Sequence, residues 1–368
     1  MKTRAAVLDT VGAPRPYATS RPLTVAELDL DGPGEGELLV RVEAAGVCHS
    51  DLSVVDGNRV RPVPMALGHE AAGVVVEVGP GVSDVREGDH VVLVFVPSCG
   101  SCAHCDGGTP ALCERGAAAN GVGTLLRGGR RLRRDGAEVH HHLGVSAFSE
   151  FAVVDRASVV ALPEDVPLPI GALFGCALLT GVGAVHNTVS VRPGDSVAVF
   201  GLGGVGLASV LGAAAAGAYP LIAVDPVATK RELALELGAT HAVDPADPLP
   251  QPVRYAIEAV GSTAVLAAAI AATRRGGTAV AVGLPHPSAE LRIPALPIVA
   301  EAKTIAGSYM GSAVPRRDVP RLVALWRAGK LPVERLHTGT FPLDEINEAM
   351  DRLAEGTAVR QVISPHRT

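Results

Sequence analysis

The sequence is poor in aromatic residues and has no strong excess of charge. Phe, Trp and Tyr together make up 3% of the 368 residues, and the formal net charge is -6 at pH 7. Nucleic acids and anionic membranes are bound by clustered basic residues, which this composition does not favour. We therefore expect a small-molecule partner, with no nucleic acid and no membrane, and a cleft lined mainly by aliphatic side chains.

The order of basic and apolar residues predicts neither a secretory leader nor a membrane span. The chain does not open on a basic segment followed by an apolar one, so we expect a cytoplasmic protein. Residues 196–224 carry no charged side chain, and such a run is long enough to span a bilayer. Four glycines and Pro220 divide it into strand, turn, helix and strand, which indicates a buried part of a globular domain.

Cysteine is scarce, yet four of the six cysteines follow the spacing C-x2-C-x2-C-x7-C. In a reducing cytosol such clusters more often hold a metal than form disulfides. Four thiolates complete a tetrahedral zinc shell with no open position. An iron–sulfur cluster is the alternative for the first three cysteines, but the fourth stands at the wrong distance. The spacing predicts a structural zinc bound by Cys99, Cys102, Cys105 and Cys113.

The other two cysteines, Cys48 and Cys176, could simply be buried apolar thiols. However, Cys48 opens the polar stretch Cys-His-Ser-Asp after an apolar run, and His69 stands just before the next apolar run. A Cys–His–Cys set would leave the fourth zinc position open to water or substrate, as catalytic zinc sites do.

A nucleotide-binding unit is predicted in the second half of the chain. Residues 196–200 resemble a buried strand, Gly201, Gly203 and Gly206 fit the turn G-x-G-x-x-G, and an Ala-rich helix follows at 207–217. Glycines in this turn let a pyrophosphate approach the helix N-terminus. Asp225 ends the next strand, where a carboxylate binds ribose hydroxyls and repels a 2'-phosphate, so we expect NAD.

Later segments extend this unit into a doubly wound sheet of six parallel strands. Strands are predicted at residues 242–244, 255–259, 278–282 and 304–308, and helices at 227–237 and 263–273. The stretch 244–252 contains four prolines and is predicted to hold no helix.

Six motifs together resemble the zinc-dependent medium-chain alcohol dehydrogenases. They are Gly-Val-Cys-His-Ser-Asp at 46–51, Leu-Gly-His-Glu-Ala-Ala-Gly at 67–73, the four-cysteine segment, His-His-His-Leu-Gly-Val-Ser-Ala-Phe-Ser-Glu-Phe at 140–151, Gly-Cys at 175–176 and Val-Phe-Gly-Leu-Gly-Gly-Val-Gly at 199–206. The resemblance covers nearly the whole chain. It is strongest to the branch with two zinc ions, which contains the liver-type and the thiol-dependent formaldehyde enzymes.

The resemblance implies an α/β protein with a discontinuous catalytic domain. A mostly-β, GroES-like catalytic domain is expected at residues 1–177, an NAD-binding Rossmann domain at 178–309 and a return to the catalytic domain at 310–368. Two Zn2+ ions per chain, NAD as cofactor and a homodimer formed through edge strands of the cofactor domains are implied as well.

Roles for single residues are implied in the same way. Cys48, His69 and Cys176 match the ligands of the catalytic zinc. Ser50 matches the hydroxyl that accepts the alcohol proton, Asp51 could orient His69, and Glu70 stands beside the metal. The implied cofactor contacts are His49, Thr180, Gly201, Gly203, Gly204, Val205, Gly206, Asp225, Lys230 and Arg360. Phe95, Leu143 and Leu284 match the substrate channel, although each could equally be a core residue, and the histidines at 140–142 are interpreted as structural.

Two positions depart from the family pattern. Ser53 stands where many relatives have the histidine that ends the proton relay, so the relay ends either in Ser53 and water or in another base. Ala117 stands where the glutathione-dependent formaldehyde enzymes have the arginine that pairs with the carboxylate of the adduct, although Arg115 is two residues earlier. Arg59 and Arg61 follow the first zinc motif, where those enzymes have acidic residues.

We expect an NAD- and zinc-dependent enzyme that interconverts a primary or secondary alcohol, medium-chain or aryl, and its aldehyde or ketone. A thiol-dependent formaldehyde dehydrogenase is the alternative within this class. A non-catalytic binding protein on the same fold is the alternative from a different class, and the complete ligand set together with Ser50 argues against it.

Overall fold

The structure, a computed structural model, describes residues 1–366, and it divides into two compact units. The first unit consists of Met1–Cys176, Val314–Pro320 and His337–Thr368, and the second consists of Ala177–Ala313 and Arg321–Leu336. The predicted return segment at 310–368 includes residues 367–368, which lie outside the described residues.

Strands and helices are numbered in chain order. The strands are β1 Lys2–Leu8, β2 Leu23–Leu30, β3 Glu37–Val47, β4 Met65–Ala66, β5 Ala71–Val78, β6 His90–Leu93, β7 Leu132–Arg134, β8 Ala137–His141, β9 Phe151–Asp155, β10 Val159–Ala161, β11 Val197–Phe200, β12 Leu221–Val224, β13 His241–Val243, β14 Val253–Glu258, β15 Thr273–Ala281, β16 Thr304–Gly307, β17 His337–Pro342 and β18 Arg360–Ser364. The helices are α1 Tyr17–Ser20, α2 His49–Val55, α3 Ala103–Asp106, α4 Glu114–Val122, α5 Leu168–Gly171, α6 Ala177–Gly183, α7 Gly204–Ala215, α8 Ala228–Glu236, α9 Thr263–Ala272, α10 Leu296–Ala300, α11 Pro315–Arg327 and α12 Ile346–Ala354.

The first unit is built from two β layers. Strands β1, β2, β7, β8 and β4 close into a barrel, and the second sheet has the order β10-β6-β5-β3-β18-β17, with β9 also paired to β3. Successive side chains of a strand point to opposite faces. In β1, Ala6 and Leu8 therefore join one apolar core, whereas Ala5 and Val7 join the other.

The second unit is a parallel sheet in the order β13-β12-β11-β14-β15-β16, which confirms the predicted doubly wound fold. Its core consists of aliphatic side chains of β11, β12 and β14, together with Phe200 of β11, packed against helix α9. The proline-rich stretch at 244–252 contains no helix, as predicted. Strand β15 begins five residues earlier than predicted because helix α9 ends at Ala272, where Thr273 takes an extended conformation.

The division into units differs from the predicted boundaries in the last part of the chain. Residues 321–336 belong to the second unit, whereas the sequence led us to expect the whole segment from residue 310 in the catalytic domain. One contact that holds this segment in the second unit joins Arg335 to Glu236 on α8. The first boundary, between Cys176 and Ala177, lies one residue from the expected position.

Candidate active site

A buried Cys–His–Cys cluster lies in the first unit, where three chain segments end or turn. Cys48 follows β3 and precedes α2, His69 lies between β4 and β5, and Cys176 follows a short 3₁₀ turn. One ligand atom of each residue lies within 4.8 Å of the others, and all three residues are buried. The structure thus brings together the three residues that the sequence predicts as ligands of a catalytic zinc.

Asp51 holds the ring of His69 in place. Its Oδ1 lies 3.0 Å from Nδ1 of His69 and accepts the backbone N–H of Gly68 at 3.2 Å. Its Oδ2 accepts the backbone N–H of Cys48, also at 3.2 Å. Burial acts to raise the pKa of the Asp51 carboxyl, but the neighbouring His69 and His142 outweigh it, so that pKa is lowered. A charged carboxylate at Nδ1 directs the other ring nitrogen of His69 to a different partner.

The cluster fits a metal ion. Nε2 of His69 is buried and has no hydrogen-bond partner among the described residues. Contact with the Cys176 thiol lowers the pKa of Cys48 well below its usual value, and the same contact, together with burial, raises the pKa of Cys176. A thiolate and an imidazole lone pair are donors that zinc prefers, and a three-residue set leaves a fourth position for substrate.

Zinc binding at this cluster competes with a proton. Burial acts to lower the pKa of His69, but the Asp51 carboxylate and the Cys48 sulfur act against burial, and the pKa of His69 is raised well above its usual value. A metal can bind the imidazole only in its deprotonated form, so loading of this site releases protons.

Glu70 and Arg360 form a buried ion pair beside the cluster. Oε1 of Glu70 lies 3.6 Å from Nη1 of Arg360, and both side chains are almost fully buried. Burial acts to lower the pKa of Arg360, but the charges of Glu70 and of the two cysteines raise it above its usual value. A Cβ at Gly46 would lie 2.0 Å from Oε1 of Glu70, so the glycine leaves the space that this carboxylate occupies. The pyrophosphate contact of Arg360 stays a prediction.

Helix α2 begins with His49, a predicted cofactor contact, and Ser50, the predicted acceptor of the alcohol proton. His49 is exposed and Ser50 is half-buried, directly after Cys48. The Ser53 hydroxyl donates to the backbone carbonyl of His49 at 2.7 Å. Its proton is therefore engaged within the helix, which favours a terminus other than Ser53 for the proton relay.

The four-cysteine cluster also assembles in the first unit. Ligand atoms of Cys99, Cys102, Cys105 and Cys113 lie within 4.8 Å of one another, and none of the four forms a disulfide. Cys113 precedes α4, and its sulfur accepts the backbone N–H groups of Cys99 at 3.2 Å and Gly116 at 3.4 Å. Donation from the backbone of Ser101 helps to lower the pKa of Cys99 to about 6. Thiolates held by N–H donors are suited to a closed zinc shell.

The second unit presents the glycine turn predicted for the cofactor. Gly201 follows β11 with a φ of +88°, and α7 begins at Gly204. A Cβ at Gly206 would come within 1.7 Å of the Gly201 carbonyl oxygen, so only glycine fits there. Gly203 is the last residue of this turn, and Val205 is the second residue of α7. Free N–H groups at this helix N-terminus suit a pyrophosphate.

Asp225 stands at the end of β12 and is tied to that turn. Its Oδ2 accepts the backbone N–H of Leu202 at 2.7 Å, and its Oδ1 accepts that of Val227 at 2.9 Å. Arg231, which was not predicted as a site residue, donates to the Asp225 carbonyl at 2.6 Å and to Asp244 at 3.0 Å. Its position could have been predicted from the sequence, because Arg231 lies about one turn into the helix that follows Asp225.

Two further predicted cofactor contacts lie in the same unit. Thr180 is buried on α6, and Lys230 is half-buried on α8. Their contacts with a cofactor stay predictions.

The three predicted channel residues are not equivalent. The ring of Phe95 packs edge-on against His69 with a centroid distance of 5.6 Å. Leu143 is buried in the first unit with a φ of +52°. Leu284 belongs to the second unit and is 50% exposed. Phe95 is thus the predicted channel residue whose ring contacts the Cys–His–Cys cluster, and its place in a substrate channel stays a prediction.

The interpretation of the histidine run as structural is incomplete. His141, in β8, is buried, and its Nε2 accepts the backbone N–H of Arg131 at 3.0 Å, which is a structural role. Nδ1 of His142, by contrast, lies 3.2 Å from Oδ1 of Asp51. Burial lowers the pKa of His142, although Asp51 opposes this effect. A run of three identical residues gives no signal of which member faces the metal cluster.

The residues that bear on substrate charge lie on or near α4. Ala117 and Arg115 are both exposed on this helix. Arg61 donates from Nη1 to the backbone carbonyl of Asn120 at 3.2 Å, and Asn120 in turn donates to the carbonyl of Phe95 at 2.8 Å. Arg61 is therefore linked through two hydrogen bonds to the segment that contacts His69.

Among residues 1–366, no single helix has the length and apolar composition of a membrane span. The consecutive segments Leu168–Gly175 and Ala177–Thr188 reach that composition only when taken together, and most of their residues are buried in the protein.

Comparisons with known proteins agree with this geometry. Residues 34–164 match the family described as alcohol dehydrogenase GroES-like domain, and residues 204–327 match the family described as zinc-binding dehydrogenase. The NDMA-dependent alcohol dehydrogenase of Amycolatopsis methanolica is 40% identical over 99% of both chains. An S-(hydroxymethyl)glutathione dehydrogenase of Escherichia coli is 38% identical over 99% of this chain and 100% of its own. Benzyl alcohol dehydrogenase of Acinetobacter calcoaceticus is similar in structure, with a TM-score of 0.91, 32% identity and 99% coverage of both chains.

A Rossmann-type sheet and a β unit with an open Cys–His–Cys cluster define the class, a metal-dependent dehydrogenase that transfers hydride. The chain belongs to the zinc-dependent alcohol dehydrogenase family, and it is an oxidoreductase. Zinc and a nicotinamide cofactor are accordingly its partners, together with an alcohol or aldehyde substrate.

Proposed function

We propose that the protein uses NAD to interconvert a neutral primary or secondary alcohol, medium-chain or aryl, and its aldehyde or ketone at a zinc ion held by Cys48, His69 and Cys176. The observation that carries this proposal is Nε2 of His69, which is buried beside two buried sulfurs and has no hydrogen-bond partner within residues 1–366. A buried polar nitrogen without a partner is costly unless a ligand satisfies it.

Residues of the chain supply the rest of the site. A bound zinc ion would lower the pKa of an alcohol oxygen, and a bound nicotinamide would accept hydride. Ser50, two residues after Cys48, accepts the alcohol proton at its hydroxyl oxygen and passes its own hydroxyl proton on to solvent water, which is within reach of this half-buried position. Asp51 keeps Nε2 of His69 in place through its bond to Nδ1. Asp225 accepts hydrogen bonds from the adenosine ribose and disfavours a 2'-phosphate.

A second zinc ion is proposed for the four-cysteine cluster. All four positions of a tetrahedral shell are then filled by protein, which leaves none for substrate. This zinc holds the segment between β6 and α4 together and takes no part in hydride transfer.

A homodimer through the cofactor unit is also proposed. Strand β16 is an edge of the six-stranded sheet, with unpaired backbone groups on one side. Near this strand in sequence, apolar side chains are exposed: Leu296 by 76%, Val299 by 82% and Ile305 by 40%. An exposed apolar surface next to an open edge suits pairing with a second copy.

Substrate preference is tested by comparing kcat/KM for benzyl alcohol, hexanol and formaldehyde, the last with and without glutathione. Ala117 offers no cation for a carboxylate-bearing adduct, and burying an unpaired carboxylate is costly. We expect both neutral alcohols to be better substrates than formaldehyde with glutathione, by roughly tenfold or more, or ~1.4 kcal/mol. NDMA, the compound named in the description of one relative, is added in a parallel series.

The similarity to S-(hydroxymethyl)glutathione dehydrogenases keeps a thiol-dependent formaldehyde activity as the second candidate. Activity that needs formaldehyde and a thiol together would establish this candidate and refute the preference for neutral alcohols. Arg115→Ala and Arg61→Ala would then identify the replacement cation, since only the variant that lacks it would lose the thiol-dependent rate.

A further inference from the structure

His142 lies against the zinc cluster although it does not belong to the Cys–His–Cys set. We propose that His142 is a positioning residue that holds the Asp51 carboxylate in place and, through it, the imidazole of His69. The inference rests on the proposed zinc site at Cys48, His69 and Cys176.

One carboxylate oxygen is close to both imidazoles. Oδ1 of Asp51 lies 3.0 Å from Nδ1 of His69 and 3.2 Å from Nδ1 of His142. The other oxygen is already bonded to the backbone N–H of Cys48. With several donors around it and no exposed surface, the carboxylate cannot rotate without losing one of them.

Nδ1 of His142 faces no polar group other than Asp51 among the described residues. Its Nδ1 is buried and lacks an aligned hydrogen-bond partner there, and Oδ1 of Asp51 is the acceptor beside it. An N–H next to a carboxylate stabilises the negative charge even when the two are not well aligned. His69 is also enclosed sterically, because its ring packs edge-on against both His142 and Phe95 at centroid distances of 5.6 Å.

A constrained turn carries His142. Its backbone N–H donates to Oγ of Ser146 at 2.9 Å, and its carbonyl accepts the N–H of Val145 at 3.0 Å. Leu143 and Ser146 both have a φ of +52°, in the left-handed region that non-glycine residues rarely adopt. Such conformations persist where the surrounding structure enforces them, and they are frequent at functional sites. The turn therefore fixes the position from which the ring reaches Asp51.

The test is zinc release from the full-length protein to excess EDTA, followed with a colorimetric zinc reporter. His142→Phe keeps a ring but removes the N–H. We expect the catalytic zinc to leave at least about tenfold faster. Tenfold is the lower limit of the usual effect of removing a group that orients a metal ligand. The phase that belongs to this zinc is identified by its absence in Cys176→Ala. Release from the four-cysteine site should not change.

Two further variants separate the N–H from the shape of the side chain. His142→Asn offers an amide N–H near the position of Nδ1 and should restore most of the zinc retention. His142→Gln places its amide one bond further out and should behave like His142→Phe. It also serves as the test if the Phe variant does not fold.

His141→Phe is the matched control, since this buried histidine of the same run bonds the backbone of Arg131 instead of Asp51. It should lower the melting temperature and leave zinc release unchanged. Wild-type release rates in folded His142→Phe and His142→Gln, or equal acceleration by His141→Phe, would overturn the proposal. An unaltered protein that binds zinc only at the four cysteines would overturn the proposed function as well, and that result is visible before any His142 variant is measured.

Discussion

Asp51 shows how much of this site depends on one side chain. Its carboxylate accepts the N–H groups of Cys48 and Gly68 and lies against two histidines. It therefore connects the N-terminus of α2, one proposed zinc ligand and the turn after β8. Because a buried carboxylate is stable only when its oxygens are satisfied, this arrangement is rigid before any metal is bound.

We expect the cofactor choice to be decided at the same scale, by Asp225. Bringing a 2'-phosphate against this carboxylate is repulsive, so we expect kcat/KM with NAD to exceed that with NADP by roughly a hundredfold, or ~2.7 kcal/mol. Asp225→Asn removes the charge and keeps an acceptor for one of the two backbone N–H groups of Leu202 and Val227. It should narrow the NAD to NADP ratio of kcat/KM by about tenfold or more. Steady-state kinetics with both cofactors measure the effect.

Glu236→Gln provides the charge-matched control, because this carboxylate lies on α8 and contacts Arg335 instead of the glycine turn. It should leave the cofactor ratio as it is. Equal use of NAD and NADP by the unaltered protein would contradict the role of Asp225.

Among the elements, short segments between strands and helices carry both metal clusters. Cys48 stands between β3 and α2, and Cys113 stands between a short 3₁₀ turn and α4. A helix N-terminus offers free N–H groups, and these stabilise a thiolate or a carboxylate. Gly116 donates to Cys113 in this way. Both segments thus place a cysteine directly before the N-terminus of a helix.

Removing one cysteine from each cluster should separate their roles. Elemental analysis of the unaltered protein should find two zinc ions per chain. Cys176→Ala should leave one zinc and abolish turnover, with little change in melting temperature. Cys102→Ala should lose the zinc of the other cluster and lower the melting temperature by roughly 5 °C or more, because that metal supports the folding of its segment.

Removal of zinc from the unaltered protein with a chelator also tests the assignment of the two metals. Its four-cysteine zinc should be the harder one to remove with a chelator, since no ligand position is open. Iron in place of zinc, or a single zinc per chain, would refute the two-site assignment.

For the whole molecule, the open edge at β16 is the feature that bears on assembly. We expect a solution mass of twice the 37.5 kDa of one chain. Ile305→Lys puts a charge on the edge strand, which is a known way to prevent edge-to-edge pairing, and it should shift the protein towards the monomer. Light scattering after size-exclusion chromatography measures both masses.

Val122→Lys is the control for this experiment, because Val122 is an equally apolar, 57% exposed residue at the end of α4 in the other unit. It should not alter the mass. A monomeric wild type, or a dimer that survives Ile305→Lys and Val299→Lys together, would show that the edge is not the interface.

The strongest sequence predictions concern residues that are close together in the chain. The C-x2-C-x2-C-x7-C spacing, the glycine turn at 201–206 and the acidic end of β12 are patterns within a few residues of each other. Their geometry follows from local backbone conformation, so the sequence alone was sufficient to predict the cysteine cluster and the turn. The doubly wound sheet was predicted from the alternation of strands and helices along the chain.

The meeting of Cys48, His69 and Cys176 was predicted from the family resemblance, but other contacts between distant residues were decided only by the tertiary structure. The pairing of Glu70 with Arg360, the approach of His142 to Asp51 and the assignment of residues 321–336 to the second unit depend on the packing of segments far apart in the chain. No local pattern distinguishes His142 from His141, because the direction of each side chain is set by where β8 ends and by the turn that follows. Burial then determines their chemistry, since a polar group removed from water must find its partner within the fold.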